Sequence, residues 1–343
     1  MRYQFFANSQ KSWQAMYEAI SSAQTSIYLE MYIFSDDMTD YNFLKLLEEK
    51  ALRGLRVRVV LDSFGSANLS KKVIEELRYV GVELIFLSYF LNRTHRKILI
   101  VDEHVAFIGG VNFHQSASLW NDLMVKVEGK LVYFITKSFA KVYAECGGKD
   151  PLVLMHNKAK FKKKMHDWLI EHFPIKNKYR LKKIYQRHLS RAHENVILVT
   201  PYLMPKRWLI GSLHQAVLRG VRVEILIPKN TDHYFIDRVN YFFMYELSKL
   251  GVNIHMESQM NHAKLMVIDK KEAIVGSNNL DFLSFELNSE VGIFFKDVTA
   301  VREILKIINK WEKDTEVFDK KAYHMKWFDY VLYPVISLFF RIL

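Results

Sequence analysis

The residues of this chain that could do chemistry fall into two matched sets, separated by 167 positions. In each set a histidine is followed by lysine at +2, aspartate at +7, glycine at +14 and asparagine at +17. The first set is His95, Lys97, Asp102, Gly109 and Asn112, and the second is His262, Lys264, Asp269, Gly276 and Asn279. Because recurrence at identical offsets is not a chance event, the sets indicate an internal duplication that serves one chemistry.

The residue types in these sets suit transfer or cleavage of a phosphate diester. One imidazole can attack phosphorus while the other protonates the leaving oxygen and then acts as base for the incoming acceptor. Lys97 and Lys264 would stabilise the charge that develops on the non-bridging oxygens. The sequence therefore predicts an enzyme in which His95 and His262 meet at one phosphodiester, a chemistry that requires no metal or other cofactor.

Small and amide-bearing residues follow the next predicted strand in each copy. Asn112 and Asn279 can donate amide N–H groups to a phosphate. Glycine at 109 and 276, followed by a small residue, would let a phosphate approach the backbone. Gly110 stands where the second copy has Ser277, so the two halves are expected to contribute unequally to phosphate binding.

A histidine nucleophile must be neutral at its attacking nitrogen, and its other nitrogen needs an acceptor that fixes the tautomer. Asp122 and Glu290 lie 27 and 28 residues after the signature histidines and are the candidates. Four further histidines have no partner at a matched offset and are interpreted as ordinary structural residues: His104, His114, His156 and His255.

The duplication extends beyond the signatures. Residues 52–57 recur as 218–223, and Glu76 with Leu77 recurs as Glu246 with Leu247. In both copies helix-period patterns alternate with short β-branched runs. This order predicts an α/β fold with two pseudo-twofold-related halves, each a mixed, mostly parallel sheet flanked by helices, and an active site at their interface.

The predicted elements follow the same order in both copies. The first half is expected to contain helices at 11–23, 40–53, 70–80 and 131–145, and strands at 26–34, 56–62, 82–87, 97–102, 105–109 and 122–128. The second is expected to contain helices at 206–219, 234–250 and 298–313, and strands at 196–200, 221–227, 252–257, 263–268, 273–276 and 290–296. The predicted domains are a first half at 1–150, a basic aromatic-rich helical connector at 151–194, a second half at 195–315 and an apolar aromatic tail at 316–343.

Composition is that of a globular protein, with 50% hydrophobic and 25% charged residues. The single Cys146 excludes an intramolecular disulfide and a cysteine-based metal site, which favours a reducing compartment. The N-terminus does not have the apolar core of a secretory signal. No stretch before residue 320 is long and apolar enough to span a bilayer, so a cytoplasmic location is expected.

The net charge of +12 is concentrated in one segment. Residues 156–193 contain twelve Lys or Arg against two acids, with aromatic residues between the charges. This pattern fits an interface with anionic lipid or, alternatively, a nucleic-acid backbone. The tail from Tyr323 to Leu343 is apolar and aromatic but interrupted by Asp329 and Pro334. It is read either as an interfacial membrane segment or as a helix packed on the protein's own core.

The duplicated signature resembles that of the phospholipase D superfamily, and the likeness covers nearly all of residues 10–315. Several surrounding stretches are similar to those of bacterial cardiolipin synthases: residues 29–34 (LEMYIF), Asp62 with Gly65 and Ser66, residues 92–97 (NRTHRK), 120–122 (WND) and 200–202 (TPY). The resemblance implies two α/β halves with a shared site, a covalent phosphohistidine intermediate and no cofactor.

By the same resemblance, residue roles are carried over position by position. The catalytic set would be His95, Lys97, His262 and Lys264, with Asp122 and Glu290 as orienting acids. Asn112, Ser277 and Asn279 would bind the substrate phosphate, whereas Asp102 and Asp269 would serve structure. Since the family usually places the nucleophile in its first motif, His95 is the expected nucleophile.

The leading hypothesis is therefore transfer of a phosphatidyl group between glycerophospholipids, as in a cardiolipin synthase, or hydrolysis, as in a phospholipase D. The expected partners are phospholipid substrates and an anionic membrane surface, with the protein peripheral at the inner face of the membrane. The alternative is a nuclease of the same superfamily, for which nucleic acid would be the partner. A catalytically dead membrane-binding module would predict an eroded signature, and the signature is intact.

Overall fold

The computed structural model describes residues 1–87, 93–158, 168–174 and 179–322. Its first half contains one seven-stranded sheet and five helices. The strands are β1 (Arg2–Asn8), β2 (Ser26–Met31), β3 (Arg56–Asp62), β4 (Glu83–Leu87), β5 (Ile98–Val101), β6 (Val105–Gly109) and β7 (Asn121–Glu128). The helices are α1 (Ser9–Ser22), α2 (Phe43–Leu52), α3 (Lys71–Tyr79), α4 (Lys130–Glu145) and α5 (Pro151–Lys158).

The second half contains an eight-stranded sheet and a two-stranded one. Its strands are β8 (Leu169–His172), β9 (Asn195–Val199), β10 (Leu203–Met204), β11 (Arg222–Pro228), β12 (Asn253–Glu257), β13 (Leu265–Ile268), β14 (Glu272–Gly276), β15 (Leu280–Asp281), β16 (Glu290–Phe295) and β17 (Thr315–Val317). Its helices are α6 (Arg180–Arg191), α7 (Arg207–Leu218), α8 (Tyr234–Lys249), α9 (Phe282–Glu286) and α10 (Val298–Trp311).

The two large sheets share one topology. The first has the order β1-β7-β6-β5-β2-β3-β4, and the second has β8-β16-β14-β13-β9-β11-β12, with β17 added beyond β12. Strand β8 therefore takes the place in the second sheet that β1 takes in the first. The mixed α/β class and the arrangement in two similar halves are confirmed.

The expectation of mostly parallel sheets is wrong for the described strands. In the first sheet only the pairs β2–β3 and β3–β4 are parallel, and each remaining pair is antiparallel. The second sheet repeats this with β9, β11 and β12. The reason is the length of the connections: helices separate the parallel strands, whereas three residues join β5 to β6, which is too few for a crossover.

Part of the segment expected to be a helical connector is built into the second sheet. Strand β8 pairs antiparallel with β16, from His172 opposite Glu290 to Leu169 opposite Ile293. Leu169 and Ile170 at its start are buried, which explains why this short run forms a strand within a region otherwise rich in charge. The predicted tail from residue 323 onward lies outside the described residues.

The core joins both halves. One cluster of buried apolar side chains draws on both sheets and on α4 and α10, and it includes Ile98, Ile108, Val275 and Ile293. Two further clusters lie on the outer faces, one in each half. The shared cluster holds the two sheets together and fixes the ends of β5, β7, β13 and β16, which carry the signature residues. Across the ranges described, no helix is long and apolar enough to cross a bilayer.

Candidate active site

Backbone pairing between the halves positions both signature histidines. His95 N–H donates to the carbonyl of Ser289 at 3.0 Å, and Ser289 N–H donates to Arg93 at 2.8 Å. The second half repeats this contact: His262 N–H donates to Asn121 at 2.7 Å. Ser289 and Asn121 each directly precede one of the candidate acids. The pairing therefore places the acid of one half beside the histidine of the other.

Each imidazole is bound by the carboxylate of the opposite half. His95 Nδ1 lies 3.1 and 3.2 Å from the two Glu290 carboxylate oxygens. His262 Nδ1 lies 2.8 Å from Asp122 Oδ2. All four side chains are buried. With Nδ1 donating to the carboxylate, the lone pair of Nε2 is free for attack or for proton transfer.

The ionisation states favour neutral imidazoles and charged carboxylates. Burial and the nearby Lys97 lower the pKa of His95 to about 4, and burial and Lys264 do the same for His262. Burial acts to raise the pKa of Asp122, but His262 and Lys264 outweigh it and the pKa falls below its usual value. The pKa of Glu290 is lowered in the same way, mainly by His95.

The two signature lysines are buried between these groups. Lys97 Nζ donates to the carbonyl of His95 at 2.7 Å, and Lys264 Nζ donates to that of His262. Burial lowers the pKa of Lys264 to about 8, although Asp122 and Glu290 act to raise it, and burial also lowers the pKa of Lys97 well below its usual value. An anionic phosphate in the cavity would raise the pKa of both lysines, because it places a negative charge near each buried ammonium group.

Serine at 277 and glycine at 110 support different acids. The Ser277 hydroxyl donates to Glu290 and accepts from Val291 N–H at 3.1 Å, so in this state it holds the acid rather than facing the cavity. At Gly110 a Cβ atom would lie only 2.2 Å from Asp122 Oδ1. The shorter aspartate therefore requires a bare backbone beside it, and the longer glutamate is held by a hydroxyl.

The remaining signature residues divide between the cavity and the opposite end of the sheet. Asn112 and Asn279 are buried and line the same cavity as the histidines. Asp102 and Asp269 lie in the turns after β5 and β13, each at positive φ, and accept backbone N–H groups. Asp102 closes the turn against Thr25 and Ser26, and its position is structural rather than part of the cavity.

One cavity of about 220 Å³ brings both imidazoles together between the halves. Three aromatic side chains surround them: the ring of Tyr32 is 4.8 Å from that of His95, and Trp120 and Tyr202 are 5.5 and 6.2 Å from His262. Apolar residues from α8 and β10 also contribute to the lining, including Met204, Ile236 and Val239.

Some cavity residues were missed by the sequence analysis. His114, which was interpreted as an ordinary structural histidine, lines the cavity. Its Nδ1 lies 2.8 Å from the Ser116 hydroxyl. Asp232 also lines it and accepts the Tyr202 hydroxyl at 2.6 Å. Neither has an equivalent at a matched offset, so a search for duplicated residues could not find them. The stretch 200–202 (TPY) was a signal for this side of the cavity.

The other three histidines interpreted as structural do not line this cavity, and each has a partner. His156 lies 3.2 Å from Glu103, and His255 lies 3.3 Å from Glu224. His104 Nδ1 contacts the Asp102 carbonyl at 2.5 Å. Their interpretation as structural residues agrees with these contacts.

Different buried polar groups support the two signature loops. In the first half Thr94 donates to Glu30 at 2.6 Å, and Glu30 lies 3.2 Å from the fully buried Arg96. In the second half Asn261 donates to both oxygens of Glu257 at 2.9 and 3.0 Å. Burial raises the pKa of Glu257 to about 7.

Known proteins carry the same fold and sequence pattern. Residues 16–145 and 185–311 match the family model described as "Cardiolipin synthase, PLD-like domain". The major cardiolipin synthase ClsA of Bacillus subtilis (strain 168) is 30% identical over 331 residues, which cover 91% of this chain and 68% of that protein. A cardiolipin synthase of Geobacillus sp. (strain WCH70) is 28% identical over 339 residues, covering 93% of this chain and 68% of the relative.

A solved structure shows the same architecture. The crystal structure of phosphatidylserine synthase from Haemophilus influenzae Rd KW20 superposes with a TM-score of 0.78 at 14% identity, covering 99% of this chain and 95% of that one. At this identity the likeness concerns the fold.

Fold and sequence together define an enzyme of the phospholipase D type, and the resemblance to that superfamily is confirmed. Within it, the chain belongs to the PLD-like domain family of the cardiolipin synthases.

Proposed function

We propose that this enzyme transfers a phosphatidyl group from one phospholipid to the hydroxyl of a second lipid or alcohol. The observation that carries the proposal is one cavity in which two neutral imidazoles are each oriented by a carboxylate of the opposite half. With phosphatidylglycerol as donor and acceptor, the product would be cardiolipin. Membership in the cardiolipin synthase domain family supports this choice of substrate class.

In the first step, Nε2 of His95 attacks the phosphorus of the donor. The N–P bond forms as the bond to the leaving alcohol breaks, and His262 supplies the proton to the departing oxygen. Binding of the anionic phosphate raises the pKa of His262, because it adds a negative charge beside a buried imidazole. Lys97 and Lys264 stabilise the charge on the non-bridging oxygens, with Asn112 and Asn279 as amide donors.

In the second step, His262 accepts the proton of the incoming hydroxyl. The acceptor oxygen bonds to phosphorus, the N–P bond breaks and neutral His95 is regenerated. Water in place of the alcohol would give phosphatidic acid by the same route. We assign nucleophilic attack to His95 because the family places its nucleophile in the first motif.

The site operates at the inner face of the membrane in this proposal. Substrates of this class are held in a bilayer, and the chain carries an excess of twelve positive charges. Anionic headgroups attract such a surface, and the attraction weakens as salt screens the charges.

Lipid analysis in cells tests the proposed reaction. Expression in cells depleted of cardiolipin should restore this lipid, as measured by chromatography, and His95→Ala or His262→Ala should abolish the restoration. His104→Ala is the matched control, because this exposed histidine lies at the turn after β5, away from the cavity. Cleavage of DNA or RNA without any change in lipids would instead support the nuclease alternative.

An activated substrate separates the two histidines. Because p-nitrophenol leaves without protonation, a p-nitrophenyl phosphodiester should partly rescue His262→Ala in donor cleavage, whereas His95→Ala should stay inactive. Rescue of His95→Ala instead would reverse the assignment. No rescue of either variant would contradict the division of roles.

A further inference from the structure

A second, larger cavity lies at the opposite end of the second sheet. Its volume is about 400 Å³, and it is bounded by α6 and by the ends of β8, β13 and β16. Phe294 lines this cavity, and Glu290 of the active site is four residues away on the same strand. At about 3.3 Å per residue the two positions are roughly 13 Å apart. We call this cavity the α6 groove.

The α6 groove combines an apolar floor with a basic rim. Leu169, Ile268 and Phe294 contribute to the floor. Arg180, Arg187 and Arg191 lie along the rim, and none of them has a carboxylate partner within the described part of the chain. These arginines are therefore available to an anion from outside.

The two acids of the groove are already engaged. Glu272 lies 2.9 Å from His188 and 2.7 Å from Lys296. Asp269 accepts backbone N–H groups of the turn before β9. Neither carboxylate neutralises the arginines, so the groove presents unbalanced positive charge above an apolar surface.

The helical repeat makes this arrangement a property of one face of α6. Arg180, Ile184, Arg187, His188 and Arg191 all line the groove and follow the spacing of a single stripe. A neighbouring stripe, Leu181, Tyr185 and Leu189, is buried in the core. Lys182 and Lys183 lie on the remaining, exposed side of the helix.

We propose that the α6 groove is a second lipid site, which binds the anionic headgroup of a membrane phospholipid remote from the catalytic cavity. The arginines pair with the phosphate, and the floor accepts the glycerol backbone and the first methylenes. Nucleic acid would use the charge but would leave the apolar floor without a role. The proposal rests on the proposed function only in placing the enzyme on lipid.

Vesicle binding tests the groove without requiring turnover, so it can fail separately from the proposed reaction. The full chain is mixed with phosphatidylcholine vesicles with and without 30% phosphatidylglycerol, and the bound fraction is measured by sedimentation. Arg187→Glu with Arg191→Glu should weaken binding to the anionic vesicles by about tenfold or more, since each basic residue near such a surface contributes about fivefold. The milder Arg187→Gln with Arg191→Gln should give a smaller loss.

The matched control changes the same charge on the same helix. Lys182→Glu with Lys183→Glu alters net charge equally but lies off the groove, so its effect should stay within about threefold. Equal losses for the two pairs would show that overall charge, not the groove, governs binding and would overturn the proposal. If Arg187→Glu with Arg191→Glu abolished binding to DNA but left vesicle binding intact, the proposal would be overturned in favour of a nucleic-acid partner.

Discussion

At the scale of single residues, the two histidine–carboxylate pairs are similar but not interchangeable. Asp122 reaches His262 beside a bare backbone at Gly110, whereas Glu290 reaches His95 while accepting the Ser277 hydroxyl. Acid length and neighbour size thus change together. Asp122 fits beside Gly110, and Glu290 fits beside Ser277, but neither acid would fit beside the other's neighbour.

This coupling predicts that substitutions at 110 and 122 compensate each other. Gly110→Ser alone should lower kcat by about 100-fold, because its Cβ would displace the Asp122 carboxylate and leave His262 without an acceptor. The double variant Gly110→Ser with Asp122→Glu recreates the arrangement of the second half and should recover at least part of this loss. Steady-state kinetics checks the prediction, and a double variant no better than Gly110→Ser would contradict it.

The depressed histidine pKa values predict acid sensitivity of the fold. An imidazole with pKa 6.5 when unfolded and about 4 when folded binds more protons in the unfolded state between these values. The contribution of each neutral imidazole to the stability of the fold is therefore fully present above pH 6.5 and is lost as the pH drops toward 4. At pH 5 each of His95 and His262 should lower the free energy of unfolding by about 2 kcal/mol.

Urea unfolding at pH 7 and pH 5 measures this loss. His95→Asn with His262→Asn should reduce the difference in unfolding free energy between the two pH values by about 4 kcal/mol. His172, whose pKa burial also lowers to about 4, remains in both proteins and provides the common background. An unchanged difference would mean that these imidazoles do not titrate as buried neutral groups.

Sequence could identify the residues of the site but not their pairing. The offsets identified His95, His262, Asp122 and Glu290 as candidates, because identical spacing is a property of the chain. That each acid contacts the histidine of the other half depends on how the sheets face each other, which no local pattern encodes. Ser277 was likewise predicted from sequence to bind phosphate, and its hydrogen bond to Glu290 could not be predicted because it forms only in the folded site.

At the scale of elements, short backbone contacts between the halves hold the catalytic loops. Ser289 both donates to Arg93 and accepts from His95, directly before β16 begins. Strand β16 is predictable from the sequence, but this contact is not. Strands β1 and β8 were not predicted, because both are edge strands in polar or helix-like sequence contexts.

Proline at position 289 should break this contact. Ser289→Pro removes the N–H that donates to Arg93, and we expect kcat to fall by about 100-fold because the loop that carries His95 loses its support. Ser289→Ala keeps the backbone donor and should stay within about twofold. Both variants are compared in the lipid transfer assay. Equal activity of the two would show that the bridge does not position His95.

At the scale of the whole molecule, the halves share a core. Ile108 of the first half and Ile293 of the second belong to one buried cluster, together with side chains of α4 and α10. A cluster shared in this way couples the stability of the halves, so neither should unfold while the other stays native. Helix α10 also packs against β1, which connects the end of the described chain to its beginning.

This predicts one cooperative unfolding transition. Ile108→Ala should lower the free energy of unfolding by about 2–5 kcal/mol and shift the loss of structure in both halves together. Tryptophan fluorescence reports on Trp13 in the first half and on Trp208 and Trp311 in the second. Ile210→Ala, at a partly buried position of the outer cluster of the second half, is the control with a smaller expected loss. Two separate transitions would contradict the coupling.

The crossed carboxylates limit how such enzymes can be recombined. A chimera that joins the first half of one relative to the second half of another separates each imidazole from the acid with which it was selected. Because Asp122 acts on His262 and Glu290 on His95, a productive exchange must carry the acid with its distant partner, not with its neighbours in sequence. A recombined enzyme therefore keeps this chemistry only when both halves come from the same parent or carry matched acids and imidazoles.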